Sequence, residues 1–333
     1  MRVTIKHIAI ATGLSESTVN HVLKNRAGFR AETKERVLAS AKRLGYRPNF
    51  FAQGVRSGRF NSVALLLSEK ISRFYLPNEM LGSLHDALAE AHMSLMVTRL
   101  PDRALTDQGV VPKVLQQCMV DGLLIDYIAN FPAGMIELIH RYRLPVVWIN
   151  SRQKANAIYP DDCAAGSQAA RHLLTLGHRR IAYASIVTWH YSLEDRRKGI
   201  AAAMRGTGCG PQVWPVPDPN FRDLPAFYGR NLRGRNRPTA VIAYSLSQAM
   251  TIYLAAAKVG LRIPEDLSIV TFNDEPDKDL GITTLLIPVA AMGRGAVEMI
   301  LRRIAKPDTN LKPVALPFGF DAGRTCGPPP TTA

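Results

Sequence analysis

The chain has 333 residues, of which 47% are hydrophobic and 21% are charged, a composition that excludes wholesale disorder and predicts more than one domain. The first residues lack the apolar core of a signal peptide, and no apolar run reaches the roughly 18 residues of a transmembrane helix, so we expect a cytoplasmic protein with no membrane partner. The net charge of +15 excludes an acidic protein and favours a polyanionic partner.

The positive charge is concentrated at the start of the chain. Residues 1–59 contain twelve Lys and Arg residues but three acidic residues, so less than a fifth of the sequence carries +9 of the total. Such a segment attracts polyanions such as DNA through electrostatics and counterion release. The alternative is a solvated basic surface that serves only solubility.

Three short helices are predicted in this segment. Thr4 can cap the first helix, Gly13 supplies the backbone of a tight turn, and Ser15 can cap the second helix. The inward positions recur at helical spacing: Ile5, Ile8 and Ala9 in the first helix, Val19, Val22 and Leu23 in the second, and Val37, Leu38, Ala41 and Leu44 in the third.

Burial of Val19 and Val22 turns a polar row of the second helix outward. The row consists of Glu16, Ser17, Asn20 and His21, with Thr18 at its border. The major groove of DNA admits one helix, and its base edges offer donors and acceptors that such side chains can meet. The pattern therefore predicts a recognition helix, the alternative being an exposed bundle helix that contacts nothing.

These motifs resemble the headpiece of the lactose-repressor/galactose-repressor family of bacterial transcription regulators. Residues 4–25 and 30–58 carry T-I-x-x-I-A, S-x-x-T-V-x-x-V-L-x-N, L-G-Y-x-P-N and A-x-x-x-x-S in the family order, and similarity continues through LGHRRIAY, RPTAVIA and GLRIPEDLSIVTFND. The resemblance implies that DNA is contacted by Thr4, Ser15, Glu16, Ser17, Thr18, Asn20, His21, Asn25, Arg26, Tyr46, Asn49, Ala52, Val55 and Arg56. Glu16, His21 and Arg30 depart from common members, so we expect a different operator sequence.

Residues 49–60 form a connector after the third helix, and Asn49 can cap a short helix there. The resemblance implies a hinge helix in the minor groove, where an apolar residue of each subunit enters the central base step. Here that residue is Val55 instead of the usual Leu, with Ala52 beside it. Because Gly54 costs a helix about 1 kcal/mol relative to Ala, we expect disorder off DNA and a weaker wedge. The alternative is a plain linker.

The body of the chain alternates short apolar runs with amphipathic segments. VALLLS, SLMVTRL, GLLIDY, PVVWIN, RIAYASI, TAVIAYS and LSIVTFND are typical of buried parallel strands, and EMLGSLHDALAEAH, AAGSQAARHLLTLG and QAMTIYLAAAKVG of helices. The alternation predicts a doubly wound α/β fold and leaves open whether there are one or two sheets. The resemblance implies two periplasmic-binding-protein-like lobes with crossings near 150–160 and 274–285. We therefore expect a headpiece (1–48), a hinge (49–60) and a two-lobed effector-binding and dimerisation domain (61–333).

Ligands of parallel sheets bind beyond the carboxyl ends of the strands, so polar residues there are candidate effector contacts. By the resemblance, Arg196 reaches sugar hydroxyls or a carboxylate. The candidates are Phe74, Asp161, Asp162, Arg196, Phe221, Ser245, Asn273 and Asp274. A core or loop role explains the two phenylalanines and the Asp161/Asp162 pair equally well. The family commonly has Asn-Asp where this chain has Ser245-Leu246, so we expect a smaller, differently oriented or chemically distinct ligand.

Catalytic and metal-binding patterns are missing from the sequence. The four cysteines are dispersed, and no HExxH or GxSxG motif occurs, so we expect no cofactor, no metal and no enzyme. The sequence predicts a homodimeric repressor that binds a pseudo-palindromic operator under control of a small effector, a sugar or sugar acid. The alternatives are a regulator of the same fold without an effector and a transporter's solute receptor, which has no use for a basic headpiece.

Overall fold

A computed structural model describes residues 3–47, 58–102, 111–112, 115, 120–128, 131–185, 190–214 and 223–331. The predicted roles of Asn49, Ala52, Val55, Arg56 and Phe221 fall outside these residues. The chain divides into two compact units, Met1–Phe60 and Asn61–Ala333. In the described ranges, no helix combines the length and the apolar character needed to cross a membrane.

The first unit, here called the headpiece, contains helices α1 (Ile5–Thr12), α2 (Glu16–Leu23) and α3 (Ala31–Arg43). Gly13 ends α1 in the left-handed region with φ 67°, and the Ser15 hydroxyl accepts the Thr18 backbone N–H at 3.1 Å. One small apolar core joins the three helices through Ile8, Ala9, Val19, Val22, Val37 and Ala41. The predicted caps and turn are therefore confirmed.

The prediction that Leu38 faces this core is wrong. Its side chain is 53% exposed, whereas Val37 is fully buried. Leu38 points about 100° away from Val37 around the helix, and at this position that direction is toward solvent. Ser40 and Ala41, three and four residues after Val37, are buried instead.

The second unit, here called the body, contains twelve strands in the described ranges. They are β1 (Ser62–Ser68), β2 (Ser94–Leu100), β3 (Gly122–Asp126), β4 (Val146–Ile149), β5 (Ala157–Pro160), β6 (Ile181–Ala184), β7 (Gln212–Trp214), β8 (Ala240–Ala243), β9 (Ser268–Asn273), β10 (Thr283–Leu286), β11 (Val314–Leu316) and β12 (Gly319–Asp321). They form two six-stranded sheets, ordered β11-β5-β4-β3-β1-β2 in lobe 1 and β12-β10-β9-β8-β6-β7 in lobe 2. All neighbours are parallel except β10 and β12.

The body helices connect these strands and cover both faces of each sheet, as the doubly wound pattern predicts. They are α4 (Asn78–Glu90), α5 (Ala133–Tyr142), α6 (Asp162–Thr175), α7 (Ser192–Met204), α8 (Leu224–Asn231), α9 (Leu246–Lys258) and α10 (Val289–Ala305), with a short 3₁₀ helix at Ile71–Arg73. In lobe 1, α4 and α10 pack on one face of the sheet and α5 on the other. In lobe 2, α6 and α7 cover one face and α8 and α9 the other.

The chain passes between the lobes directly after each of the two predicted segments and not within them. Residues 150–156 connect β4 to β5 within lobe 1, so the first crossing follows Pro160. Residues 274–282 connect β9 to β10 within lobe 2, so the second crossing follows Leu286. A third crossing, between β11 and β12, was not predicted. The strands β5, β10, β11 and β12 were not predicted, because AIYP ends in proline, TTLL and GFD contain polar residues, and VAL has three residues.

Strand β2 was expected to be buried and is instead a largely exposed edge strand. It has one neighbour, β1, whereas β1 itself is buried along its whole length. An edge strand leaves one row of backbone groups unpaired, and its side chains have fewer neighbours to cover them. Apolar content alone did not distinguish the edge strand from the interior ones.

Candidate DNA-binding surface and ligand cleft

Helix α2 presents a polar surface opposite its buried valines. Val19 is fully buried and Val22 is 3% exposed, which fixes the rotation of the helix. Glu16 and Ser17 are exposed, and Thr18, Asn20 and His21 are half-buried at the edge of the row. The predicted row is thus on the surface of the headpiece, where a duplex can reach it.

The side chain of His21 is held in one orientation by Arg26. The Arg26 guanidinium Nη1 lies 3.3 Å from His21 Nε2, and a guanidinium can only donate. Nε2 therefore accepts, and the imidazole carries its proton on Nδ1. The Nδ1–H group of His21, in the last turn of α2, is then a hydrogen-bond donor for an acceptor such as N7 or O6 of guanine.

The other predicted DNA contacts of the headpiece surround α2. Thr4 is the N-cap of α1, where its backbone N–H donates to His7 Nδ1 at 3.0 Å. Asn25 adopts a left-handed conformation with φ 51° just after α2, and it is exposed. Tyr46 is half-buried and packs against the headpiece core, so its ring has a structural role besides any contact with DNA.

Between the lobes of the body lies a cavity of about 310 Å³ at the carboxyl ends of the strands. Its lining includes Phe74, Asp162, Arg196, Ser245 and Asn273, all five of them predicted from the sequence. The lining residues that the sequence did not predict are Ile71, Ser72, Tyr75, Ile128, Asn150, Pro160, His190, Ser192, Tyr244, Phe272, Ile287 and Met292.

Arg196 is the most strongly anchored residue of the cavity. It lies on α7 and is 5% exposed, and its Nε donates to Asp162 Oδ1 at 2.7 Å while Nη1 donates to the Tyr244 carbonyl at 2.9 Å. The guanidinium carbon lies 4.1 Å from the Phe272 ring centroid and 4.7 Å from that of Tyr244. Burial raises the pKa of Asp162, and the adjacent guanidinium counteracts that rise. Because the guanidinium stays protonated and lies 2.7 Å from the carboxyl oxygen, the two side chains form an ion pair with no net charge.

A chain of hydrogen bonds crosses the cleft from lobe 2 to lobe 1. His190 Nε2 lies 3.3 Å from the Asn150 carbonyl oxygen, which can only accept, so the proton is on Nε2. Nδ1 then accepts from the Ser192 hydroxyl at 2.7 Å, and Ser192 accepts from the Tyr244 hydroxyl at 2.7 Å. Burial lowers the pKa of His190 to about 4, so the imidazole is neutral near pH 7.

The two remaining aspartates do not line the cavity. Asp161 is the N-cap of α6, and its Oδ1 accepts the Ala164 N–H at 3.0 Å. Asp274 directly follows β9, and burial together with the charge of Asp274 raises the pKa of Tyr75 in lobe 1. Asp161 therefore has the loop role left open by the sequence, whereas Asp274 acts on the cavity through its charge.

Some of the cavity-lining residues that were not predicted could have been found from the sequence, and others could not. Asn150 and Tyr244 directly follow β4 and β8, so the argument that identified Asn273 applied equally to them. Tyr75, Ile128 and His190 lie in connecting segments and became part of the cavity through folding alone. In the described parts of the chain, no group of three or more His, Cys, Asp or Glu side chains could hold a metal ion.

Comparison with known proteins agrees with this architecture. Residues 4–49 match the family described as bacterial regulatory proteins, lacI family, and residues 170–326 match the periplasmic binding protein-like domain. Over 312 residues the chain is 27% identical to the HTH-type transcriptional repressor PurR of Edwardsiella ictaluri, with 90% of each chain covered.

Two solved structures share the fold. One is the lac repressor dimer bound to operator and the anti-inducer ONPF, with a TM-score of 0.81 and 21% identity, covering 98% of this chain and 99% of that one. The other is the transcriptional regulator CelR in complex with cellobiose, with a TM-score of 0.66 and 21% identity, covering 97% of this chain and 100% of that one. The headpiece motifs, the two-lobed body and the two domain matches agree: the chain carries a headpiece of the lacI family of bacterial regulatory proteins, followed by a periplasmic-binding-protein-like body.

Proposed function

We propose that the protein is a transcriptional repressor that binds a pseudo-palindromic operator as a homodimer, with its operator affinity set by a small carbohydrate ligand between the lobes. The observation that carries this proposal is the outward polar row of α2 on a headpiece segment with a net charge of +9. The family of the headpiece supports a regulatory role, and the remaining support comes from the residues of each unit.

In the proposed complex, α2 enters the major groove. Glu16, Ser17, Asn20 and His21 contact base edges, with Thr18 beside them. Thr4, Ser15, Asn25, Arg26 and Tyr46 contact the phosphate backbone and fix the orientation of the headpiece. Base contacts give the sequence preference, whereas the surrounding positive charge gives affinity that falls with salt.

The cleft supports control by a small ligand. Its volume of about 310 Å³ and its place at the carboxyl ends of two parallel sheets are those of a small-molecule site. A filled cleft would be expected of a regulator without an effector. In the related structures, CelR is in complex with cellobiose and the lac repressor is bound to ONPF, which supports a carbohydrate here.

Exposed apolar side chains on the body support a homodimer. Met250 and Leu254 are 41% and 60% exposed and lie one helical turn apart on α9. In lobe 1, Val97 is 49% exposed on the edge strand β2. A twofold dimer buries the same patch on both subunits and places two recognition helices on half-sites about one helical turn of DNA apart.

Ligand and operator would be coupled through the lobes. A ligand that favours one angle between the lobes changes the spacing of the two hinge segments in the dimer. The resulting change in operator affinity is a coupling free energy, so the operator must change ligand affinity by the same factor. The ligand can either weaken or strengthen operator binding.

Selection of binding sites from random duplex DNA with the full-length protein tests the proposal. We expect an enriched pseudo-palindrome with half-sites centred about ten base pairs apart. In parallel, sedimentation should show a dimer for the wild type and a monomer for Leu254→Glu. Ile136→Glu, at a similarly exposed apolar position on α5, is the control that should remain dimeric. Failure to enrich any sequence would contradict DNA recognition.

A further inference from the structure

The cavity is polar on one lobe and apolar on the other. Lobe 2 contributes the side chains of Arg196, Asp162, Ser245 and Asn273. The wall from lobe 1 and the second crossing is built mainly from Ile71, Phe74, Ile128, Ile287 and Met292. A ligand that fills this space meets hydrogen-bonding groups on one side and aliphatic or aromatic carbon on the other.

Asn150 is a polar residue of lobe 1 whose cleft-facing oxygens are already used by lobe 2. The Asn150 side-chain oxygen accepts from the Tyr191 hydroxyl at 3.2 Å, and its carbonyl accepts from His190. These contacts make the lobe 1 wall more apolar than its residue types indicate.

The charges of the described lining residues cancel. Arg196 and Asp162 are the charged side chains among them, they are paired at 2.7 Å, and His190 is neutral near pH 7. The guanidinium carbon also lies within 5 Å of two aromatic ring centroids, those of Phe272 and Tyr244. An anionic ligand would have to share this one cation with a buried carboxylate, and a buried charge without full compensation is strongly disfavoured.

The polar groups that a ligand can reach belong to Ser245 and Asn273. Both line the cavity and are half-buried, whereas the Asp162 side chain has no accessible surface and meets Arg196 instead. A hydroxyl and a side-chain amide bind a hydroxyl or amide of a ligand without any charge on it. The polar side therefore suits a neutral hydrogen-bonding ligand.

We infer that the ligand is an uncharged, amphipathic molecule, with a hydroxyl- or amide-bearing end against Ser245 and Asn273 and an aryl or alkyl group against Ile128 and Met292. This inference rests on the proposed function, because it concerns the ligand of the same cleft, and it excludes sugar acids and sugar phosphates from the proposed carbohydrates. The volume suits one sugar ring carrying one such group, at the small end of the roughly 300–1,000 Å³ range of ligand pockets.

Isothermal titration of the full-length protein with matched compounds tests the inference. The probes are glucose and galactose, the corresponding uronates, the corresponding phenyl glycosides, and the non-carbohydrate pair benzamide and benzoate. We expect a phenyl glycoside to bind at least tenfold more tightly than its parent sugar, and each neutral compound to bind more tightly than its acid. Stronger binding of the acids, or no gain from the phenyl group, would overturn the inference.

A single substitution tests the contribution of the apolar wall to ligand affinity separately from that of the polar side. Ile128→Thr replaces the ethyl branch of the side chain by a hydroxyl, which makes the wall smaller and more polar. It should weaken binding of the phenyl glycoside about three- to tenfold and change binding of the parent sugar less than twofold. Ile136→Thr, outside the cleft, is the matched control and should change neither. Equal urea midpoints for the variants and wild type would show that all of them fold.

The outcomes also separate this inference from the proposed function. If no probe binds, including benzamide at millimolar concentration, the assigned ligand chemistry is wrong, because an open aryl-accepting wall should take up small aromatic compounds. Selection of an operator by the same protein preparation does not depend on whether a probe binds in the cleft. A preparation that selects an operator but binds none of the probes therefore refutes the ligand class and leaves DNA recognition standing.

Discussion

Replacing Gly199 with Ala should destabilise the body and disturb the cleft. Gly199 lies on α7, one turn after Arg196, at the point where α7 crosses α6. A β-carbon there would overlap the Cys163 carbonyl oxygen and lie 2.8 Å from the Ser167 backbone nitrogen. Both obstacles are backbone atoms of α6, so no side-chain rotation removes them.

The size of the effect follows from this geometry. Unbonded heavy atoms pack at about 3.5–4.0 Å, so α7 must move away from α6 by roughly 1 Å or more. Overpacking of this kind costs about 1–3 kcal/mol, and two backbone obstacles place it at the upper end. Ala regains about 1 kcal/mol of helix propensity over Gly. The net loss is about 2 kcal/mol, and the same displacement stretches the ion pair between Arg196 and Asp162, which joins the same two helices.

Urea unfolding of the full-length protein, followed by tryptophan fluorescence and circular dichroism, measures this loss. The matched control is Gly82→Ala on α4, where an added β-carbon meets no atom within 4 Å. That variant should be more stable than wild type by about 0.5–1 kcal/mol. If Gly199→Ala were as stable as wild type or more so, the close packing of α6 on α7 and its role in placing Arg196 would be refuted.

Three further predictions concern single groups. Asp162→Asn leaves the buried guanidinium unpaired and should cost about 3–5 kcal/mol in urea unfolding, whereas Glu194→Gln, which breaks an exposed pair, should cost less than about 1 kcal/mol. Burial lowers the folded-state pKa of His190 to about 4 from an ordinary 6.5, so the unfolded chain binds more protons than the folded chain between these pH values. Lowering the pH from 7 to 5 should therefore reduce the free energy of unfolding of the wild type by about 1–2 kcal/mol more than that of His190→Gln. Ser15→Ala removes the α2 cap and should destabilise the headpiece by about 1 kcal/mol in thermal unfolding, whereas Ser17→Ala, at an exposed position without a cap bond, should not.

The sequence predicts the headpiece well because local rules determine it. A turn glycine, a capping serine and helical spacing of apolar residues fix α1 and α2 without reference to the rest of the chain. The failure at Leu38 shows the limit of spacing, since several apolar residues compete for one small core. In the body, buried strands such as β1 and β8 are evident as apolar runs, whereas strands without such a run, such as β10 and β12, depend on tertiary pairing.

The cavity shows a different limit. Arg196 and Asn273 were found from motif position and strand ends, and both line the cavity. The apolar wall was missed because Ile128 and Met292 resemble ordinary core residues in sequence. The neutral character of the site was missed because it depends on the pairing of Arg196 on α7 with Asp162 on α6. The spacing of residues in the sequence does not predict such a pair.

The most direct measurement of the central claim is the ratio of affinities for the selected operator and a scrambled duplex at physiological salt. Each good base contact contributes about 1–3 kcal/mol of discrimination. In an Asn20→Ala/His21→Ala variant this ratio should therefore fall at least tenfold, whereas the affinity for the scrambled duplex should stay the same. Lys34→Ala, on α3 outside the polar row of α2, should leave the ratio unchanged. If the double variant discriminated as well as wild type, recognition of base edges by α2 would be contradicted.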